Sequence, residues 1–99
     1  MKATIWNYRF YIDETDPKKV FDFCKSALDK AEFMMIGFSE HHFYPYGYTA
    51  LWLLAESHFA VHTFPEQNTS YCELSSCNPA KHKVFVKLME EHGAKAIID

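Results

Sequence analysis

Residues 56–66 read Glu-Ser-His-Phe-Ala-Val-His-Thr-Phe-Pro-Glu, and Cys77 follows eleven positions after Glu66. These residue types permit a protein to cut itself. The Ser57 hydroxyl can attack the Glu56 carbonyl and convert the Glu56–Ser57 amide to an ester. A base that then removes the serine α-proton drives elimination, and the chain parts between Glu56 and Ser57. The dehydroalanine left on Ser57 hydrolyses to a pyruvoyl group. Such a ketone forms a Schiff base with a substrate amine and accepts the electron pair released by decarboxylation. The product carbon must then be reprotonated by a positioned acid. His62 has the chemistry of the base and Cys77 that of the acid.

Each residue taken singly also has a plain structural role. A strand histidine is commonly hydrogen-bonded scaffold, and an isolated cysteine is commonly a small buried hydrophobe. With six His and three Cys in the chain, a metal site is the obvious rival, but the spacing opposes it. His58 and His62 on a strand share a face yet lie about 13 Å apart, too far for one zinc ion. Adjacent His41 and His42 point to opposite faces, as do Cys72 and Cys77, so no metal is expected. A serine hydrolase lacks its Gly-x-Ser-x-Gly elbow. Strand geometry also restricts self-cleavage: five residues of straight strand put Ser57 and His62 about 16 Å apart. The chain must fold back at 56–58, or another strand must intervene.

The elements that position these residues follow from periodicity. Residues 2–12, rich in Thr, Ile, Trp, Tyr and Phe, predict a first strand. Asp16-Pro17 is a helix start, and Val20, Phe21, Cys24, Leu28 and Ala31 form an apolar stripe, which predicts a helix over 17–31. Strands are expected at 33–44, 48–55, 58–64 and 69–77, broken by Pro45-Tyr46-Gly47, Pro65 and Gln67-Asn68. Asn78-Pro79 repeats the helix-start signal. Val84, Phe85, Leu88 and His92 share a face of this second helix, Gly93 stops it, and residues 94–98 make a last strand. The order β-α-β-β-β-β-α-β predicts an α+β two-layer sandwich, an antiparallel sheet with two helices on one face. The other face is then solvated or covered by a second copy. The connector Ala55-Glu56-Ser57-His58 has no Gly, Pro or Asn, so the strand either runs through or turns under strain.

Ninety-nine residues predict one domain spanning 1–99. A 48% hydrophobic and 17% aromatic composition excludes disorder and points to surface covered by a partner. The net charge of −3, with no long Lys/Arg run, excludes a nucleic-acid footprint. No apolar run is long enough to span a membrane. Three cysteines without a secretory leader predict reduced thiols in the cytoplasm.

Phe43, Pro45, Gly47 and Thr49, then Glu56-Ser57-His58, then His62-Thr63-Phe64-Pro65-Glu66, then Cys77, together resemble the core of the bacterial and archaeal S-adenosylmethionine decarboxylase proenzymes. These are small pyruvoyl-dependent enzymes of spermidine synthesis. The likeness spans about 35 residues, and the spacings match without a gap. It implies cleavage between Glu56 and Ser57, a pyruvoyl cofactor made from Ser57 and no metal. His62 would promote processing, and Cys77 would donate the proton in decarboxylation. Thr49 stands where the family has a small hydroxyl residue. Phe43 would stack on the adenine, Phe64 replaces the usual Trp of the substrate pocket, and Glu66 would bind the ribose hydroxyls. A flat aromatic suits a purine or a sulfonium cation, and a carboxylate suits a diol. The resemblance further implies a homodimer with sites near its interface.

The chain departs from the family at Trp6-Asn7-Tyr8-Arg9, where a Gly-x-His element is usual, and at Gln67-Asn68-Thr69, where a Tyr-Gly-Tyr-like segment is usual. Both changes touch the substrate pocket more than the processing residues. S-adenosylmethionine is the expected substrate. The alternatives are a pyruvoyl decarboxylase of ornithine or arginine, and an uncleaved relative acting as a binding subunit.

Overall fold

A computed structural model of the chain describes residues 4–98. The elements are β1 (Trp6–Ile12), α1 (Pro17–Lys30), β2 (Met35–His42), β3 (Tyr48–Leu54), β4 (Ser57–Phe64), a short 3-10 turn (Pro65–Gln67), β5 (Thr69–Ser76), α2 (Pro79–Glu91) and β6 (Lys95–Ala96). Six strands form one antiparallel sheet in the order β2-β3-β4-β5-β1-β6. The middle four strands are a meander of consecutive neighbours. β1 closes on the far side of β5, and the chain returns through α2 to set β6 on the outer edge. The expected α+β sandwich is the observed one.

Alternation separates the two sheet faces. Phe10 and Ile12 of β1, Trp52 and Leu54 of β3, Phe59 and Val61 of β4, and Cys72 and Leu74 of β5 are buried on one face. On that face α1 contributes Val20, Cys24, Ala27 and Leu28, and α2 contributes Phe85 and Met89. Phe10, Phe59 and Phe85 meet at its centre with ring centroids 5.4–6.3 Å apart. The opposite face carries Thr49, Leu51 and Leu53 of β3, His58, Ala60 and His62 of β4, and Tyr71 and Glu73 of β5; Leu51 and Leu53 are exposed.

Capping explains the helix limits. Asp16 and Asn78 accept from the backbone N–H of Lys19 and Lys81, each at 3.0 Å, and a proline follows each cap. Gly93 has a φ of 85° and closes α2 through its N–H to the Glu90 carbonyl. At the end of α1 the same left-handed position is held by Glu32, φ 64°.

The sequence expectations shift in detail. β1 begins at Trp6 instead of residue 2, and residues 1–3 lie outside the described ones. β2 is shorter than 33–44, and the last strand shrinks to Lys95–Ala96. The buried face of α2 runs through Phe85 and Met89, whereas Val84 and His92 are exposed. His92 packs edge-on against Phe23 of α1. Ser57 belongs to β4, so the β3–β4 connection is only Ala55-Glu56, with Leu54 paired to Ser57.

Candidate active site

Glu56 is the second residue of that two-residue hairpin, with φ 61°. For a residue with a Cβ the left-handed region costs about 1–2 kcal/mol. Of the two possibilities left by the glycine-free connector, the strained turn is the observed one. The strain lies on the residue directly before Ser57. Ser57 follows on the helix-facing side of β4, half-buried, and its hydroxyl donates to Ser76 Oγ at 3.4 Å. Cys77 comes directly after Ser76 and is exposed.

His62 stands at the other end of β4 and faces away from the helices. Its Nδ1 is 3.0 Å from Thr49 Oγ1 on β3, its direct cross-strand partner. On the same face His41 of β2 is registered with Thr49, and Tyr71 of β5 with His62. The Tyr71 ring lies nearly parallel to the His62 imidazole at 6.3 Å. Burial and the Tyr71 hydroxyl's bond to Glu73 hold this phenol above its ordinary value, with Arg9 opposing. Tyr71 thus stays neutral beside the imidazole.

A cavity of about 630 Å³ opens at this end and is lined by Phe43, Thr49, His62, Phe64 and Glu66, among others. The loop between β2 and β3 shapes it. Phe43 N–H donates to the Gly47 carbonyl at 2.8 Å, closing the loop on itself. Gly47 has a φ of 115°, a backbone conformation that side-chain-bearing residues rarely adopt, so glycine is what lets the loop turn there. His41 supports that ring edge-on, with centroids 4.4 Å apart. Below the loop, Tyr48 N–H donates to the buried Thr63 hydroxyl at 2.8 Å and ties β3 to β4.

The candidate residues thus fall into two groups. Glu56, Ser57 and Cys77 lie at the hairpin end of β4. Phe43, Thr49, His62, Phe64 and Glu66 lie at its other end. One uninterrupted strand joins them, so a single chain does not bring Ser57 to His62. Sequence inspection also missed Ser76, His41 and Tyr71. Each enters through strand register, and no fixed offset along the chain marks it.

The model of the S-adenosylmethionine decarboxylase family matches residues 12–97. The chain is 40% identical over 52 residues to an S-adenosylmethionine decarboxylase proenzyme 2 of Bacillus cereus, covering 52% of this chain and 42% of that one. It is 32% identical over 69 residues to a proenzyme of the same name from Archaeoglobus fulgidus, covering 68% and 62%. A third, from Persephonella marina, is 44% identical over 50 residues, covering 50% and 36%. The aligned part is therefore less than two thirds of each of these relatives. A crystal structure of the adenosylmethionine decarboxylase from Aquifex aeolicus superposes with a TM-score of 0.75 at 19% identity, over all of this chain and 96% of that one. At that identity the likeness shows the fold.

Proposed function

The chain belongs to the S-adenosylmethionine decarboxylase family, and from that premise we propose that it is a proenzyme that cuts itself between Glu56 and Ser57. The product would decarboxylate S-adenosylmethionine and supply the aminopropyl donor of polyamine synthesis. The observation that carries this reading is the convergence of Phe43, Thr49, His62, Phe64 and Glu66 on one cavity. A flat aromatic, a carboxylate and a hydrogen-bonded histidine answer the purine, the ribose diol and the proton transfers of such a substrate.

The turn at 55–56 suits formation of a pyruvoyl group. The serine hydroxyl that follows it is half-buried and hydrogen-bonded beside a strained residue. Once formed, that group supplies the electron sink for loss of CO₂. The chain's own residues do the rest. Ser57 is the nucleophile of cleavage, His62 takes the α-proton with Thr49 fixing its ring, and Cys77 returns a proton to the product carbon. Phe43 and Phe64 line the cavity with aromatic surface suited to a purine.

These roles require two copies. Ser57 and His62 sit about 16 Å apart along one strand and on opposite faces. In a pair related by a two-fold axis, the Thr49–His62 end of one copy would lie at the Ser57 end of the other. The exposed Leu51 and Leu53 on the open sheet face give that pairing apolar surface to bury. Closed pairing of one chain type is the expected symmetry.

Intact mass spectrometry tests cleavage, with fragments 1–56 and 57–99 expected. One stable full-length chain would favour the binding-subunit alternative. Release of CO₂ from S-adenosylmethionine, ornithine and arginine tests the substrate, and activity on either amino acid alone would overturn the nucleoside assignment.

A further inference from the structure

Ser76 ends β5 with its side chain fully buried. A serine hydroxyl has one proton to donate and two lone pairs, and here all three are engaged. Ser76 Oγ accepts from Asn78 N–H at 3.0 Å, accepts from the Ser57 hydroxyl at 3.4 Å and donates to the Asn78 carbonyl at 3.3 Å. The groups that anchor it are the backbone N–H and carbonyl of Asn78, directly before α2. The Ser57 hydroxyl is thereby referred to the frame of α2 and β5, outside its own hairpin.

We propose that Ser76 is a positioning residue for self-cleavage, holding the Ser57 hydroxyl in the orientation from which it attacks the Glu56 carbonyl. The inference rests on the self-cleavage reading above. With the Ser57 proton directed at Ser76, both Ser57 lone pairs are free to meet the carbonyl carbon. In that step Ser57 Oγ bonds to the Glu56 carbonyl carbon and the bond from that carbon to the Ser57 nitrogen breaks. The hydroxyl proton ends on that nitrogen, so the step is an isomerisation that consumes no co-reactant. Ser76 is a neutral hydroxyl, too weakly basic to keep that proton, and its part is to aim the nucleophile. A separation of 3.4 Å is long for two hydroxyls, and bonds at reacting groups tighten as the reacting geometry forms.

Three chains are compared by intact mass over time after purification, each with its thermal midpoint. Ser76→Ala is expected to slow the appearance of fragments 1–56 and 57–99 by about ten- to a hundredfold, the scale of a misdirected reacting group. Ser76→Thr restores the hydroxyl and is expected to cleave within about threefold of the unaltered chain, well inside that range. Asn78→Ala removes the helix cap but keeps the backbone groups that bind Ser76. It is expected to lower the midpoint while cleaving at the unaltered rate. Equal cleavage by Ser76→Ala and the unaltered chain would overturn the inference. So would slowing by Asn78→Ala as large as that by Ser76→Ala, because loss of α2 stability would then account for both. An unaltered chain that never cleaves would overturn the self-cleavage reading itself, and this inference with it.

Discussion

Ser57, His62 and Cys77 differ in how much their surroundings prepare them. Ser57 is bonded to a buried hydroxyl and preceded by a strained residue, and His62 is fixed by Thr49. Cys77 is exposed in the isolated chain, which leaves its sulfur open to a substrate or a second copy. The assignments make separable predictions. Cys77→Ala should still yield both fragments but should lose about 10²- to 10⁴-fold in decarboxylation, the usual contribution of a positioned acid. Radiolabelled CO₂ release from the cleaved variant measures this, and an undiminished rate would remove Cys77 from the mechanism.

At the scale of elements, three non-glycine residues among the described ones hold left-handed positions: Glu32 after α1, Glu56 between β3 and β4, and Asn68 before β5. Only Asn68 is a residue type that tolerates the region well. Glu32 closes α1 where helices ordinarily place glycine. Glu32→Gly should therefore stabilise the chain by about 1 kcal/mol, read as a rise in the urea midpoint. An unchanged or lower midpoint would show that the Glu32 side chain offsets its backbone cost. α2 carries a second liability. His82 Nδ1 is buried without a hydrogen-bond partner, as is the nearby Tyr8 hydroxyl. Burial lowers the His82 value below 6.5 and raises that of Tyr8 to about 12. Below pH 6.5 the unfolded chain binds the His82 proton before the folded one does. Stability is thus full above that pH and falls as pH drops through the folded value. Urea midpoints between pH 7.5 and 5 should decline accordingly, and His82→Leu should flatten the decline.

For the whole molecule, the decisive fact is that β4 separates the two residues to which the proposed self-cleavage assigns nucleophile and base. A site shared between two copies predicts complementation. Chains bearing Ser57→Ala alone and His62→Ala alone should each remain whole. Co-expressed, the His62→Ala chain should be cleaved, because its Ser57 meets the intact His62 of its partner, while the Ser57→Ala chain stays uncut. Mass spectrometry of the mixture reads this directly, and two uncut chains would exclude a shared site. No helix among the described residues is long and apolar enough to cross a membrane.

Much of this was legible along the chain. Apolar periodicity with Asp16-Pro17 and Asn78-Pro79 located both helices, and alternation with its breaks located the strands, because such signals act within a few residues. The fixed offsets from Phe43 to Cys77 identified the family for the same reason: they lie on one continuous meander. The weaker expectations lay at strand ends and on the buried face of α2. There the packing of Phe85 and Met89 on the sheet decided, and periodicity alone did not. Tertiary structure alone placed Ser76 beside Ser57, Tyr71 beside His62, and Ser57 at the opposite end of β4 from His62. Those relations depend on which strands pair and in what register, a long-range choice made by burying one sheet face under two helices. The sequence determined the family, because its motif residues lie close along the chain, and the sheet decided that Ser57 and His62 stand at opposite ends of β4.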